Sequence, residues 1–146
     1  MATRSTIAVQ HADGTISEVY CHWDGYLSNN GDLLAKNYNS LELAEELVSL
    51  GDISSLHERI HPTAPMGFGH TFDNPEKGVT VYYRRDRGED GTAPARYRNL
   101  SEYAAEGGGQ EYNYIFFNGE WYVRSDNARD YMTISAALAL ENNQEE

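Results

Sequence analysis

The segment "EYNYIFFNGEWYVRS", residues 111–125, constrains the fold more than any other part of this chain. Two runs rich in aromatic and β-branched residues flank Asn118-Gly119, the dipeptide that type I′ turns favour. Tyr112, Tyr114 and Phe116 share one face of the first run, because side chains alternate along a strand. The segment therefore predicts a β-hairpin, and a hairpin needs further strands and a covering layer to be stable.

The rest of the chain supplies further strands and helices that can cover the sheet. "STIAVQ" and "TISEVYCHW" predict a second hairpin, joined through Asp13-Gly14. Four segments have helical character. They are "DLLAKNY", "NSLELAEELVSLG" with Asn39 as its N-cap, "NLSEYAAEGGG" with Asn99 as its N-cap, and a final helix from about Ala128 to Glu141.

Between these elements, "VTVYYRR" predicts one more strand, and Ser54 to Gly78 reads as a long surface connection with at most one helical turn. The pattern indicates a single α+β domain over residues 1–141, with a mainly antiparallel sheet of about five strands and three to four short helices. Residues 142–146 are expected to form a frayed acidic tail.

Charge narrows the function classes. Eleven Lys and Arg residues face 23 Asp and Glu residues, a formal net charge of −12, which repels nucleic-acid phosphates and anionic membranes. Cys21 is the only cysteine, which points to a reducing compartment. No apolar run has the ~20 residues of a membrane span. We expect a cytoplasmic protein without a membrane or direct nucleic-acid partner; oligomeric state stays open.

His57-Glu58-Arg59-Ile60-His61 is a literal H-E-x-x-H, the zinc motif of many metallopeptidases. That motif needs a helix to orient both imidazoles, whereas Pro62 ends any helix here. Ser55 and Glu58 fit a capping box, which gives the glutamate a structural role. A zinc metallopeptidase is therefore the least favoured of the three functional hypotheses considered for this chain. We assign no catalytic residue, metal or cofactor.

"YCHWDGY", residues 20–26, gathers chemically capable side chains where the second strand ends in a glycine turn. Strand alternation places Tyr20 and His22 on one face, and Cys21 and Trp23 on the other. We do not expect a Cys-His nucleophilic pair, since the side chains of neighbouring residues on a strand point to opposite faces. The candidate ligand-binding residues of this segment are His22, Trp23, Asp24 and Tyr26.

"YYRRDRGED", residues 82–90, concentrates positive charge in an acidic protein. Arginine side chains bind phosphate or carboxylate groups through two hydrogen bonds, and tyrosine rings stack on nucleobases. The alternative is that the arginines form solvated ion pairs with Asp86, Glu89 and Asp90. The candidate ligand-binding residues here are Tyr82, Arg84, Arg85 and Arg87. Arg4, Ser5 and Thr6 add donors if the first strand lies nearby.

The motifs "MATRSTIA", "YCHWDGY", "LGDISSL" and "FDNPEKGVTVYYRRDRGED" together resemble small accessory proteins of tailed bacteriophages, over about the first 90 residues. The resemblance implies a non-structural phage accessory protein that acts in the bacterial host cytoplasm and counteracts host defence. We expect a non-enzymatic protein rather than an enzyme. The first hypothesis for its mechanism is sequestration of a small anionic, nucleotide-like ligand. The alternative is an acidic nucleic-acid mimic or inhibitor that binds a basic host protein.

Overall fold

The computed structural model describes residues 2–63 and 69–144, and the side chains of all these except 143 and 144. These residues contain eight strands: Ser5–Gln10 (β1), Ile16–Cys21 (β2), Ile53–Ser55 (β3), Val81–Tyr82 (β4), Ala95–Tyr97 (β5), Tyr112–Phe117 (β6), Glu120–Ser125 (β7) and Met132–Thr133 (β8). The α-helices are Asp32–Asn37 (α1), Leu41–Ser49 (α2), Tyr83–Arg87 (α3), Leu100–Glu106 (α4) and Ile134–Gln144 (α5), and Leu27–Gly31 forms a π-helical turn.

All the strands belong to one sheet in the order β4-β3-β2-β1-β6-β7-β8, with β5 also paired to β2. Both predicted hairpins, β1–β2 and β6–β7, are confirmed. The pairs β1–β6 and β2–β3 are parallel, and the others are antiparallel. The α+β class is confirmed, but the sheet is mixed and has more strands than predicted.

The two faces of the sheet carry different layers. Helices α1, α2 and α5 cover one face, where Leu34, Leu47 and Ile134 pack against the strand side chains of the main core. A smaller cluster lies on the other face, where Tyr103 of α4 packs against Ile115. Burying such side chains stabilises the fold by roughly 1.5–3 kcal/mol each.

Local capping explains where two helices begin. Asn99 caps α4 as predicted, since its side chain accepts a hydrogen bond from Glu102 N at 2.9 Å. Helix α2 is instead capped by Ser40, whose hydroxyl accepts from Leu43 N at 3.2 Å, one residue after the predicted cap Asn39. Both caps satisfy a first-turn amide that has no partner within the helix.

Three predicted boundaries are wrong. The strand "VTVYYRR" ends at Tyr82, because Asp86 accepts a hydrogen bond from Tyr82 N at 2.8 Å and the chain turns into α3. The last helix begins at Ile134 because residues 126–133 form a turn and β8. It then continues to Gln144, so residues 142–144 of the predicted tail are helical, and 145–146 lie outside the described residues.

Candidate functional site

Strand β3 brings two of the candidate segments together. It pairs with β2 on one side and with β4 on the other, and the register aligns Cys21 with Ile53 and Ile53 with Tyr82. All three side chains are fully buried on the helix-covered face. Since neighbouring side chains on a strand alternate, Tyr20 and His22 point to the opposite face.

Asp52 ties the same two segments to each other. Its carboxylate accepts a hydrogen bond from Tyr20 N at 2.9 Å, and its carbonyl accepts one from Tyr83 N at 3.3 Å. Burial raises the pKa of the Asp52 carboxyl, and the hydrogen bond from Tyr20 N opposes that rise. The segments "YCHWDGY" and "YYRRDRGED" therefore lie on either side of β3 and are linked through Asp52, which the sequence alone did not show.

The Tyr20 phenol is the centre of this arrangement. Its hydroxyl hydrogen-bonds His22 Nδ1 at 2.6 Å. Burial raises the pKa of Tyr20, the Arg4 guanidinium beside its hydroxyl lowers it, and the nearby Tyr83 raises it again. We call the surface formed by Arg4, Tyr20, His22, Tyr83 and Arg87 the Tyr20 face.

Gly25 positions Arg4. Gly25 N donates to Thr3 O at 2.8 Å, so the turn after β2 packs directly on the start of β1. A Cβ at position 25 would lie 2.7 Å from Ser5 Cβ and 2.8 Å from Thr3 O. The site thus depends on a glycine that carries none of its chemistry.

Trp23, Asp24 and Tyr26 continue from the Tyr20 face into this turn. The Trp23 indole meets the His22 ring edge to face, with centroids 4.6 Å apart. Trp23 is 44% exposed and Tyr26 is 41% exposed, both high values for such large rings. Asp24 is exposed and has a positive φ of 54°, so it serves the turn geometry.

The three arginines of "YYRRDRGED" have different environments. Arg87 lies over the rings of Phe72 and Tyr83, at 4.5 and 5.2 Å from their centroids, and forms an exposed ion pair with Glu89. Arg84 is exposed and makes no ion pair with any residue that the structure describes. Arg87 therefore belongs to the Tyr20 face, and Arg84 adds charge beside it.

Arg85 is occupied inside the protein. It donates to Ile60 O at 2.6 Å and to Thr80 O at 2.8 Å, and its Nε donates to Asp86 at 2.9 Å. These contacts hold the segment before β4 against α3. We therefore leave Arg85 out of the proposed site.

Tyr82 is also enclosed. Its ring is fully buried in the main core, and its hydroxyl donates to Leu47 O at 2.6 Å. Burial raises the pKa of this phenol well above its ordinary value. The ring has no face open to a ligand, so the predicted stacking role of Tyr82 conflicts with its position.

The H-E-x-x-H segment is not helical. Ser55 lies in β3, and Arg59 makes an isolated parallel bridge to Val79, so the predicted capping box is wrong. His57 N is held by the Thr80 hydroxyl at 3.0 Å, and His61 lies 3.5 Å from Glu46 on the surface. Within residues 2–63 and 69–144, no group of three or more His, Cys, Asp or Glu side chains is arranged to hold a metal ion.

No protein-family model, curated protein or solved structure matches this chain. Among the described residues, no helix has the length and apolar character needed to cross a membrane. The features of the chain that bear on function are the geometry of the Tyr20 face and the net charge of −12.

Proposed function

We propose that the Tyr20 face binds a small anionic ligand that carries a planar ring, such as a nucleotide. One observation supports this proposal most strongly. The Tyr20 hydroxyl hydrogen-bonds His22 Nδ1, and Arg4 and Tyr83 both act on the pKa of this phenol, so residues from three segments distant in sequence influence one group. Their groups include hydrogen-bond donors and a fixed positive charge on one surface.

Positive charge on this face contrasts with the rest of the protein. Arg4 and Arg87 lie on a molecule whose net charge is −12, so they mark the place where an anion is attracted rather than repelled. The pair of Arg87 with Glu89 is exposed, and such pairs contribute only about 0–1 kcal/mol. A phosphate group that accepts two hydrogen bonds from Arg87 competes well with that pair.

Trp23 supplies a surface for the ring of the ligand. Its indole is held at one side by the edge-to-face contact with His22, and 44% of it remains open to solvent. Stacking of a base on an aromatic side chain contributes about 1–3 kcal/mol. Phosphates near Arg4 and Arg87 and a base on Trp23 thus define a nucleotide-like ligand.

The resemblance of the sequence to bacteriophage accessory proteins is the basis for a biological role of this binding. We propose that the protein acts in the bacterial cytoplasm by sequestering a nucleotide that the host uses as a defence signal. Sequestration requires only affinity and an adequate amount of protein. The Tyr20 face meets that requirement through contacts alone, with no catalytic group assigned.

A thermal-shift assay tests the proposal with AMP, ATP, NAD and cyclic di-AMP as probes. A ligand at 100 times its dissociation constant stabilises the folded state by about 2.7 kcal/mol. For a domain of this size, that raises Tm by about 5–10 °C. Arg4→Gln is expected to weaken the binding about tenfold, because it removes a charged donor worth about 1.5 kcal/mol or more.

Arg98→Gln is the matched control for this experiment. Arg98 is exposed and, among the described residues, pairs only with Glu102 of α4. Its replacement by Gln changes the net charge by the same amount as Arg4→Gln does. Its variant is expected to bind as the parent does. The proposal fails if no probe raises Tm, or if both variants lose the same affinity.

The acidic character of the chain supports a second candidate, an inhibitor that imitates nucleic acid. The net charge of −12 would attract a basic host protein from a distance. Such a complex is expected to weaken steeply with added salt and to be displaced by DNA. A host complex that is indifferent to both would exclude this candidate.

A further inference from the structure

A cavity of about 330 Å³ lies on the smaller-cluster face of the sheet, beneath helix α4. Four aromatic rings from different elements line it: Tyr103 of α4, Phe117 of β6, Tyr122 of β7 and Tyr131 before β8. Its volume lies at the lower end of the range of small-molecule sites. We call it the α4 pocket.

The rings form walls at different angles. Tyr103 and Tyr131 have centroids 6.4 Å apart and planes inclined at 42°, and their hydroxyls share a hydrogen bond of 3.0 Å. Phe117 and Tyr122 have centroids 6.0 Å apart and planes inclined at 63°. Tyr103 is only 2% exposed, so the ring surface that a ligand can contact comes from the partly exposed Phe117, Tyr122 and Tyr131.

Charge selects among possible ligands of the α4 pocket. The lining contains no charged side chain, and its tyrosine hydroxyls would replace only part of the hydrogen bonds that the three donors of an ordinary ammonium group make to water. An anion is disfavoured by the net charge of −12 and by the electron-rich ring faces. A quaternary ammonium group has a positive charge but no hydrogen-bond donor, and aromatic faces attract it.

The charges around the pocket do not oppose this choice. The Arg124 guanidinium already lies over the Tyr131 ring at 5.5 Å, so this ring is in a cation–π contact from one side. The buried carboxylate of Glu18, which accepts from Tyr97 and from Gly108 N, lies close enough to Tyr103 to act on it together with Arg124. Glu18 and Arg124 act on the pKa of Tyr103 in opposite directions, and the effect of Glu18 is the larger.

We propose that the α4 pocket is a second binding site, separate from the Tyr20 face, that takes a trimethylammonium group. Choline and the side chain of trimethyllysine share this group. The proposal depends on the ring arrangement and charge of the pocket, and it is independent of the function proposed for the Tyr20 face.

Isothermal titration of the whole chain with choline and with its uncharged isostere 3,3-dimethyl-1-butanol tests the proposal. The two probes have the same shape, so apolar burial contributes equally to both. A cation–π contribution of about 1–2 kcal/mol predicts that choline binds about 5–30 times more tightly. A parallel titration with free trimethyllysine shows whether a modified side chain serves better than choline, and tighter binding of either cation than of the alcohol supports the proposal.

The variant Tyr122→Leu keeps an apolar wall but removes one ring face. It is expected to lower the affinity for choline by about fivefold or more and to leave the affinity for the alcohol nearly unchanged. Tyr112→Leu removes a partly buried ring on the helix-covered face, outside the pocket, and is expected to change neither affinity. If Tyr122→Leu does not fold, the comparison of probes on the parent chain still decides. Equal or tighter binding of the alcohol, or no binding of either cation at about 10 mM, overturns the proposal.

Discussion

Asp86→Asn is expected to lower the free energy of unfolding by about 3 kcal/mol at neutral pH, the magnitude typical of breaking a buried ion pair. The Asp86 carboxylate is 5% exposed. It accepts hydrogen bonds from Arg85 and from Tyr82 N, and His70 Nε2 lies 3.2 Å away. The substitution leaves the partly buried Arg85 guanidinium without its counter-charge. Urea unfolding followed by circular dichroism measures the change.

The exposed pair in the same segment provides the control. Glu89→Gln removes a carboxylate that is 42% exposed and pairs with Arg87, which is 51% exposed. That pair is expected to contribute less than about 1 kcal/mol. Similar losses for the two variants would contradict the view that the Arg85–Asp86 pair is a structural anchor.

The effect of Asp86→Asn should also depend on pH. Burial raises the pKa of Asp86, but hydrogen bonds from Arg85, Tyr82 N and His70 outweigh burial and hold it below its ordinary value. A carboxyl with a lowered pKa stabilises the folded state above the unfolded value of about 3.9, and that stabilisation is lost as pH falls through the folded pKa. The difference between parent and variant is therefore expected to be greatest near neutral pH and to shrink below about pH 4.

Among the glycines that the structure describes, Gly51→Ala is expected to be the most disruptive substitution, lowering the free energy of unfolding by about 3 kcal/mol. The φ of Gly51 is +93°, a conformation that strains any residue with a Cβ. The added Cβ would also lie 2.3 Å from the carbonyl oxygen of Thr92, which is backbone and has little room to move. Differential scanning calorimetry should show Tm lowered by about 6–12 °C.

Gly14→Ala separates these two contributions. Gly14 has nearly the same φ, +91°, but nothing lies within 4 Å of a Cβ placed there. Its substitution is expected to cost only the backbone strain, about 1 kcal/mol. Equal effects at both positions would show that contact with Thr92 is unimportant.

Because Gly51 precedes Asp52, the Gly51→Ala substitution is also expected to weaken ligand binding at the Tyr20 face.

Local turn chemistry made part of this fold predictable. Asp13-Gly14 and Asn118-Gly119 each identify a hairpin, because the turn and both of its strands are adjacent in sequence. The parallel pairing of β1 with β6 aligns Ser5 with Tyr112, and no local signal connects positions so far apart. For that reason, the sequence did not predict that the sheet is mixed.

The candidate site was likewise predictable only where its residues are close in sequence. The predicted alternation is correct for Tyr20 and His22, which share a face, but wrong for Trp23, whose ring contacts His22 because β2 ends at Cys21. Alternation also does not identify Tyr20 as the centre, because Arg4 and Tyr83 come from segments distant in sequence. The three arginines look equivalent in sequence. Only packing reveals that Arg85 faces inward and that Arg87 lies over two rings.

The two tryptophans offer the most direct test of the Tyr20 face as an anion site. Trp23 is 44% exposed beside His22, whereas Trp121 is 3% exposed and its Nε1 donates to Tyr38 O at 2.9 Å. The decisive measurement is the ¹H–¹⁵N spectrum of their indole groups during titration with AMP, ATP, NAD and cyclic di-AMP. We predict that at least one nucleotide shifts the Trp23 signal to saturation, leaves the Trp121 signal unchanged, and has a much weaker effect on Arg4→Gln. Absence of any Trp23 shift with all four nucleotides at about 10 mM, or equal shifts of both signals, would contradict the account.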